Sequence, residues 1–415
     1  MASTPVSPCP LAWQATSNSL AIAEMVVYLS PAYRPYRIPV FQAISRGLRS
    51  PLHVISLNTR EQLPIVQRHS RLGYIQHFVR GAQVTLTGAD SGTRTPCMPP
   101  ISWDLYHRLK SMHPEAVISN NLGVWTATSI FLGIPTVVFW EGTPHTERTV
   151  GTLRHLLRRW IVRRARAFIV NGMLAKRYLI DRYGVPEGQI LTGGMCASPP
   201  PPGQAAASLL LKTEVQHPVR FLFVGALTPL KQPGILVQAA AALRSTLRAP
   251  KSFAVTILGQ GRLDRELREL ISRLSLSDLI ALPGGCPPEQ VWDYYRDNHV
   301  LVHPTLHDNW PLVVHEAMSM ALPVLLSSRS GNVPDLLGEG ENGFTFDPTS
   351  ASQLSGRMRV YVESPTLVNT HGVAGHRIAN EYTPTRAAGA TLAALEHACA
   401  RKERVAEPVP QENAG

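Results

Sequence analysis

Two doubly wound α/β domains are predicted for this chain of 415 residues, each a parallel sheet with helices on both faces. Three observations carry the prediction. Short β-branched runs alternate with helical patterns along the chain, as strand–helix units of parallel sheets do. The alternation breaks once, at the proline-rich stretch SPPPPGQAAASLLLKTEVQHP (Ser198–Pro218), and then restarts. The length is about two to three times that of a typical domain, so two hydrophobic cores are expected rather than one.

In the first half, strands are predicted at Met25–Leu29, Leu52–Leu57, Ala116–Ser119, Thr136–Phe139, Ala167–Val170 and Gln189–Leu191. Helical periodicity lies between them at Pro39–Leu48, Trp103–Met112, Gly123–Phe131, Val150–Arg164 and Leu174–Tyr183. Four consecutive prolines favour extended polyproline, which marks a linker. Beyond it, strands are predicted at Phe221–Val224, Ala254–Leu258, Leu279–Leu282, Val300–His303, Val324–Leu326 and Phe344–Phe346. Helices are predicted at Ile235–Thr246, Leu263–Leu274, Pro288–Arg296 and Pro311–Ala321, with a strong helical pattern again at 386–400. The chain is thus divided into an N-terminal extension (1–24), an N-terminal domain (25–197), a linker (198–217), a C-terminal domain (218–375), a terminal helix (376–400) and a tail (401–415).

Hydrophobic residues make up 44% of the chain and charged ones 17%, below the usual charged share of about 25%. A long disordered chain needs more charge and less apolar content, so that class is excluded. Five cysteines (Cys9, Cys97, Cys196, Cys286, Cys399) lie far apart without a CxxC pair. That argues against a zinc ribbon or disulfide scaffold and fits a reducing compartment. Residues 1–23 carry no charged side chain, so the basic start of a secretory signal is missing. The uncharged stretch Ala116–Trp140 contains Asn120, Asn121, Gly123, Gly133 and Pro135, which split it into strand, helix and strand rather than a membrane span. A soluble cytoplasmic chain is expected.

The net charge of +11 belongs to the first half, where residues 1–200 carry 21 Lys and Arg against 9 Asp and Glu. Its densest part interleaves Arg154, Arg158, Arg159, Arg163, Arg164 and Arg166 with Leu153, Leu156, Leu157, Trp160, Ile161 and Val162. At about 100° per residue, positions 153, 156, 157, 160 and 161 form one apolar stripe with arginines beside it. One reading is a core-facing helix with a solvated outer side. The other is a peripheral surface resting on an anionic membrane or an anionic, lipid-linked substrate. Nucleic acid is not expected as a partner, since no helix-turn-helix, zinc-finger or RNP-like motif accompanies the charge.

The most informative stretch for chemistry is HPTLHDNWPLVVHEAMSMALP, His303–Pro323. A buried strand ends at His303, a polar loop follows, and Pro311 sits where a helix begins, its missing N–H costing little there. The first-turn amides after Pro311 and Leu312 would form an anion site at the end of a parallel strand, suited to a diphosphate. Asp308 before the helix and Glu316 in its second turn can both face a ligand, and carboxylates accept hydrogen bonds from sugar hydroxyls. Two acids at this spacing are also common on solvated surfaces. A second candidate is FLFVGALTPLK (Phe221–Lys231), where a strand runs into Gly225 and Lys231 opens the next helix. A third, Leu258-Gly259-Gln260-Gly261, lacks the remaining glycine and the distant acid of a nicotinamide-binding fingerprint.

VGALTPLK, LGQGRL and the run DNWPLVVHEAMSMALPVLLS into GNVPDLLGEGENGFTFD resemble the C-terminal domain of the retaining GT-B glycosyltransferases of family four. The last run resembles that family's Glu-x7-Glu motif. SPAYRPYRIPVFQAI and PTVVFWEGTPHTER resemble N-terminal segments of polysaccharide-assembly members. The resemblance implies a GT-B fold, two Rossmann-like domains facing across a cleft. It implies transfer of a hexosyl group from a nucleotide diphosphate sugar to a glycan or lipid-linked acceptor, with retention and without metal or other cofactor, in exopolysaccharide or lipopolysaccharide biosynthesis. By the same resemblance Glu316 meets the ribose, Asp308 the donor sugar and Lys231 the diphosphate. Asn309 and Trp310, with the amides after them, face the sugar or phosphates, and Glu141 lies near the position of a catalytic His.

Three departures stand out. Asp308 is one methylene shorter than the family's Glu, and Ala226 replaces an arginine that would pair with Lys231 on the diphosphate. The N-terminal glycine-rich loop is replaced by Pro31-Ala32-Tyr33-Arg34-Pro35-Tyr36-Arg37. Arg34, Arg37 and Arg262 are candidates for the missing cation or for acceptor contacts. Glu141 can equally be a surface acid, and His145 a solvated loop residue. The alternatives are a related GT-B phosphorylase or epimerase, or a non-catalytic glycan-binding protein, the last motivated by Ala226 and Asp308.

Overall fold

The computed structural model of the protein describes residues 24–32, 34–57, 72–81, 85–87, 94–96, 102–147, 151–212, 215, 218–247 and 252–406. Most of the extension, the end of the tail, Cys9, Tyr33, Cys97 and Val150 lie outside the described residues.

The first sheet contains β1 (Val26–Leu29), β2 (His53–Leu57) and β3 (Ile75–Val79); a separate antiparallel hairpin, β4 (Thr85–Thr87) and β5 (Arg94–Pro96), follows. The sheet continues through β6 (Ala116–Asn120), β7 (Thr136–Trp140), β8 (Ala167–Val170) and β9 (Ile190–Thr192). Its order is β3-β2-β1-β6-β7-β8-β9, and all pairings are parallel. The second sheet comprises β10 (Val219–Val224), β11 (Phe253–Leu258), β12 (Ile280–Gly284), β13 (Val300–His303), β14 (Val324–Ser327) and β15 (Gly343–Phe346). Its order, β12-β11-β10-β13-β14-β15, is again parallel throughout. The strand order in both sheets runs outward from the first strand in two directions. That leaves a crevice at the carboxyl ends of β1 and β6, and another at those of β10 and β13. This is the GT-B arrangement of two Rossmann-like domains.

Every predicted strand is present to within a residue or two. The edge strand β3 escaped sequence reading because only Val79 of its five residues is buried, so no apolar run marks it.

The linker differs from expectation. Gln204–Leu211 is a helix rather than extended chain, and it belongs to the second domain. The Ser208 hydroxyl donates to the Met320 carbonyl at 2.6 Å. Lys212 is buried and donates to the carbonyls of Arg296 (3.1 Å) and Tyr295 (3.4 Å), closing the end of the Val291–Asp297 helix. Loss of water there lowers the Lys212 ammonium to about 7.

The terminal helix also differs. Helices Ala351–Glu363 and Thr366–Ala379 complete the second domain, and the last helix, Pro384–Ala406, returns to the first. Its Ala387, Ala388, Leu392 and Leu395 are buried in one cluster with Phe41 and Ile44 of the Ile38–Arg46 helix. A Cβ on Gly47 would come within 2.4 Å of Leu392 Cδ1, so that glycine permits the close approach.

Finally, the arginine-rich helix Thr152–Val162 buries Ile161 and Arg158 but leaves Leu153 and Leu156 exposed, so its apolar stripe is not core-facing as a whole. Arg158 lies over the Trp140 ring and bonds Glu147 at 2.6 Å.

Candidate functional site

The crevice of the second sheet is built from the loops after its two central strands. At the end of β10, Gly225 takes φ 155°. A Cβ on Gly259, after β11, would fall 1.8 Å from the Gly225 carbonyl oxygen, and one on Gly261 would fall 2.4 Å from that of Leu227. The glycines of LGQGRL therefore let two strand-end loops lie directly on each other. The β10 loop leads to Lys231, and the β13 loop to Asp308. They are stitched by Leu306 N–H to the Leu230 carbonyl (2.8 Å) and by the Thr305 hydroxyl to the same oxygen (3.1 Å).

Lys231 and Asp308 meet as an ion pair with side chains 25% and 18% exposed. Asp308 Oδ1 also accepts the Trp310 N–H at 3.3 Å, and His303 Nε2 stands 3.6 Å from Oδ2. Burial alone would raise the Asp308 carboxyl. The polar contact with His303 and the charge of Lys231 overcome it and hold the group well below the usual carboxylate range. Burial lowers the His303 imidazole, and among the described residues its Nδ1 has no hydrogen-bond partner.

The helix is Leu312–Ser319, starting one position later than predicted, so Pro311 is the residue immediately before it rather than just inside it. Glu316 lies in the second turn, where burial raises its carboxyl and a hydrogen bond from the Tyr295 hydroxyl (2.8 Å) partly offsets this. Tyr295 is itself fully buried. The structure thus brings Gly225, Lys231, Asp308, Pro311, Leu312 and Glu316 to adjoining loops and one helix at a single crevice. Ala226 and Arg262 are exposed on the same loops.

Asn309 and Trp310 face the other domain. Asn309 Oδ1 accepts from the hydroxyls of Thr146 and Thr143, in the loop after β7. Trp310 is buried against Gly172 of the first domain and 5.9 Å from Tyr382. These contacts set the carboxyl ends of the two sheets opposite each other.

On the first-domain side, Arg37 is not a free cation for a phosphate. Its guanidinium is buried, donates to Tyr28 Oη (2.8 Å) and Asn120 Oδ1 (3.1 Å), stacks over Phe139 and pairs with Glu141. Tyr28 is pushed up to about 12 by burial. Glu141, 28% exposed, is accordingly held at the strand ends of β1, β6 and β7. Arg34 is exposed three residues before Arg37, and His145 is half-buried in the loop that carries Thr143 and Thr146. Sequence reading did not single out Tyr28, Asn120, Tyr295 or Thr146; no local motif marks them. Among the described residues no group of three His, Cys, Asp or Glu could hold a metal ion, and no helix is long and apolar enough to cross a membrane.

Residues 212–375 match the family described as Glycosyl transferases group 1, and residues 40–192 match Glycosyltransferase Family 4. The chain is similar to the D-inositol 3-phosphate glycosyltransferase of Kineococcus radiotolerans, 26% identical over 268 residues, covering 60% of this chain and 61% of that protein. It is similar to the putative colanic acid biosynthesis glycosyltransferase WcaL of Salmonella typhimurium, 27% identical over 173 residues, 40% of this chain and 42% of that protein. It therefore spans about 61% and 42% of these relatives' lengths. Anabaena HepE in complex with UDP superposes with a TM-score of 0.68 at 16% identity, covering 89% of this chain and 99% of that one. Sucrose-phosphate synthase from Thermosynechococcus elongatus superposes at 0.64 with 18% identity, covering 92% and 99%. At these identities the shared property is the two-domain fold.

Proposed function

We propose that this chain is a glycosyltransferase that moves a hexosyl group from a nucleoside diphosphate to a hydroxyl of a glycan or lipid-linked acceptor, with retention, in surface polysaccharide assembly. The observation that carries the reading is the half-buried Lys231–Asp308 ion pair at the switch point of the second sheet, with the half-buried Glu316 in the second turn of the helix that follows. The similarity of both halves to glycosyltransferase families, and a shared fold with a protein solved with UDP, support the same donor class.

In this reading a diphosphate, carrying more charge than one carboxylate, takes Lys231 from Asp308. Asp308 is then released to accept hydroxyls of the donor sugar, and Glu316 accepts from the ribose. The amides that open the Leu312–Ser319 helix add fixed dipoles on the phosphates. The bond from the anomeric carbon to the diphosphate oxygen breaks with its electrons going to the diphosphate, where Lys231 stabilises them. Retention places the acceptor hydroxyl on the face from which the diphosphate departs, so the departing oxygen is the nearest acceptor for its proton. Glu141, oriented by Arg37, faces the developing positive charge or the acceptor from the first domain.

The test is a thermal-shift screen against uridine, guanosine and adenosine diphosphates, followed by turnover of the matching sugar nucleotide and assignment of the product anomer. One nucleoside diphosphate should stabilise the protein, and Lys231→Ala and Glu316→Ala should each abolish turnover. Absence of binding by every nucleoside diphosphate overturns the reading. Turnover with inorganic phosphate as sole acceptor would replace it with a phosphorylase.

A further inference from the structure

The Thr152–Val162 helix carries apolar side chains that the core does not take up. Leu153 is 83% exposed and Leu156 57%. Leu157 and Trp160, on the same stripe, are only partly buried. The apolar face continues onto two neighbouring helices. Trp103, 76% exposed, opens Trp103–Met112, and Phe131, 75% exposed, ends Val124–Phe131. Trp103, Phe131, Leu157 and Trp160 line one groove of about 440 Å³, and among the described residues no acidic side chain lines it. Large apolar side chains gathered in water mark an interaction surface, whereas scattered ones do not.

The charge around this face has one sign. Arg159 and Arg163 are exposed along one edge of the stripe, and the Arg164 guanidinium stacks over Trp160 at 4.8 Å. From Thr152 to Ile180 the sequence holds no acidic residue. Asp104, the nearest acid in the neighbouring helix, accepts the Arg80 N–H at 3.0 Å. A symmetric pairing of two copies through this face would set arginine against arginine. Tryptophan and leucine beside arginine match a bilayer interface, where the rings sit at headgroup depth and the guanidinium groups meet lipid phosphates.

We propose that this face docks the protein on an anionic bilayer surface. The proposal rests on the glycosyltransferase reading only for its purpose, delivery of a lipid-linked acceptor. The docking helix is joined to the crevice through its other side. Arg158 bonds Glu147 at 2.6 Å, in the loop whose Thr146 hydroxyl reaches Asn309 of the second domain. A bilayer held by Leu153 and Trp160 is therefore one helix-width from the loop that joins the two strand-end crevices.

The experiment is sedimentation of the full chain with vesicles of phosphatidylcholine alone and of phosphatidylcholine mixed with phosphatidylglycerol, read together with tryptophan emission. Binding to the mixed vesicles should be about tenfold or more tighter, should weaken with salt, and should move the emission of exposed Trp103 to the blue. The double variant Leu153→Glu, Phe131→Glu should lose binding by about tenfold or more, as should Arg159→Glu with Arg163→Glu. Nucleoside diphosphate binding should be unchanged in both double variants, which separates this proposal from the donor reading. Vesicle binding that survives when no nucleotide binds leaves the docking face standing. Equal affinity for both vesicles, or variants that sediment like the parent, overturns it. So does a Trp103 contribution, taken as the difference from the Trp103→Phe variant, that is already blue without lipid, which would show the face covered by another segment or a second copy.

Discussion

Asp335, in the second domain, accepts the backbone N–H of Met173, the residue that opens the Met173–Tyr183 helix of the first domain, at 3.1 and 3.0 Å. A carboxylate that ordinarily caps its own helix here caps a helix across the domain boundary. Gly172 makes room for it, since a Cβ there would fall 2.4 Å from Asp335 Oδ2 and 2.5 Å from Trp310 Cζ3.

Burial pushes the Asp335 carboxyl up to about 6, against the pull of the Met173 N–H and of Arg386. A carboxyl raised in the native state holds a proton that the unfolded chain has released. Its contribution is therefore complete below the ordinary value of 3.8 and is lost as pH rises through about 6. Stability should fall across that window by at most about 1.4 kcal/mol per pH unit. Asp335→Asn keeps an acceptor for Met173 and should flatten this part of a Tm-against-pH curve. A variant curve that tracks the parent would assign the slope to other groups.

Lys231→Ala leaves Asp308 ionised and partly buried without its cation. Unfolding by urea should show a loss of about 1–3 kcal/mol at neutral pH. Because the native Asp308 carboxyl is held low, the stability it supplies is present above 3.8 and disappears on acidification below it. Addition of the matching nucleoside diphosphate should raise Tm in the parent and leave the variant almost unmoved. A full ligand-induced shift in Lys231→Ala would exclude this lysine from the diphosphate site.

Tyr295→Phe removes the hydroxyl that donates to Glu316 at 2.8 Å. Burial then acts on Glu316 without its offset, so the carboxyl should rise further. Donor KM should increase about tenfold, equivalent to about 1.4 kcal/mol, with a smaller change in kcat. The acidic limb of the kcat/KM profile should move to higher pH. A merely structural role for Tyr295 would lower stability without moving that limb.

His315 joins the two points where the chain passes between domains. Its Nδ1 accepts the Ala197 N–H at 2.8 Å, and its Nε2 donates to the Ala379 carbonyl at 3.0 Å. Burial lowers the imidazole, which keeps it neutral with the proton on Nε2. His315→Leu preserves bulk but strands both backbone groups, and chemical denaturation should register a cost of about 2–4 kcal/mol. A loss well under that would mean water replaces the ring.

The sheets were legible in the sequence because each central strand is a short apolar run such as Val26–Leu29 or Phe221–Val224, buried on both sides. The crevice of the second domain was legible because Asp308, Pro311 and Glu316 sit within one short stretch of chain. Its electrostatics were not, since Lys231 and Asp308 are 77 positions apart and Tyr295 and Glu316 21. Sequence alone leaves Arg37 a candidate for a phosphate or acceptor contact, because its partner Glu141 lies 104 positions away and only the folded sheet brings them together. The 204–211 helix was hidden by four prolines before it and is fixed by contacts of Ser208 and Lys212 with distant carbonyls. Periodicity located the apolar stripe of Thr152–Val162 correctly, yet periodicity cannot say which neighbour, if any, covers a stripe.

The return of Pro384–Ala406 to the first sheet means that the chain is not separable in sequence order. Expression of residues up to 197 alone would leave the seat of Leu392 and Leu395 bare beside Ile44, and such a fragment should aggregate. A hybrid enzyme built to exchange donor specificity should graft only the middle of the sequence and keep both ends from one parent.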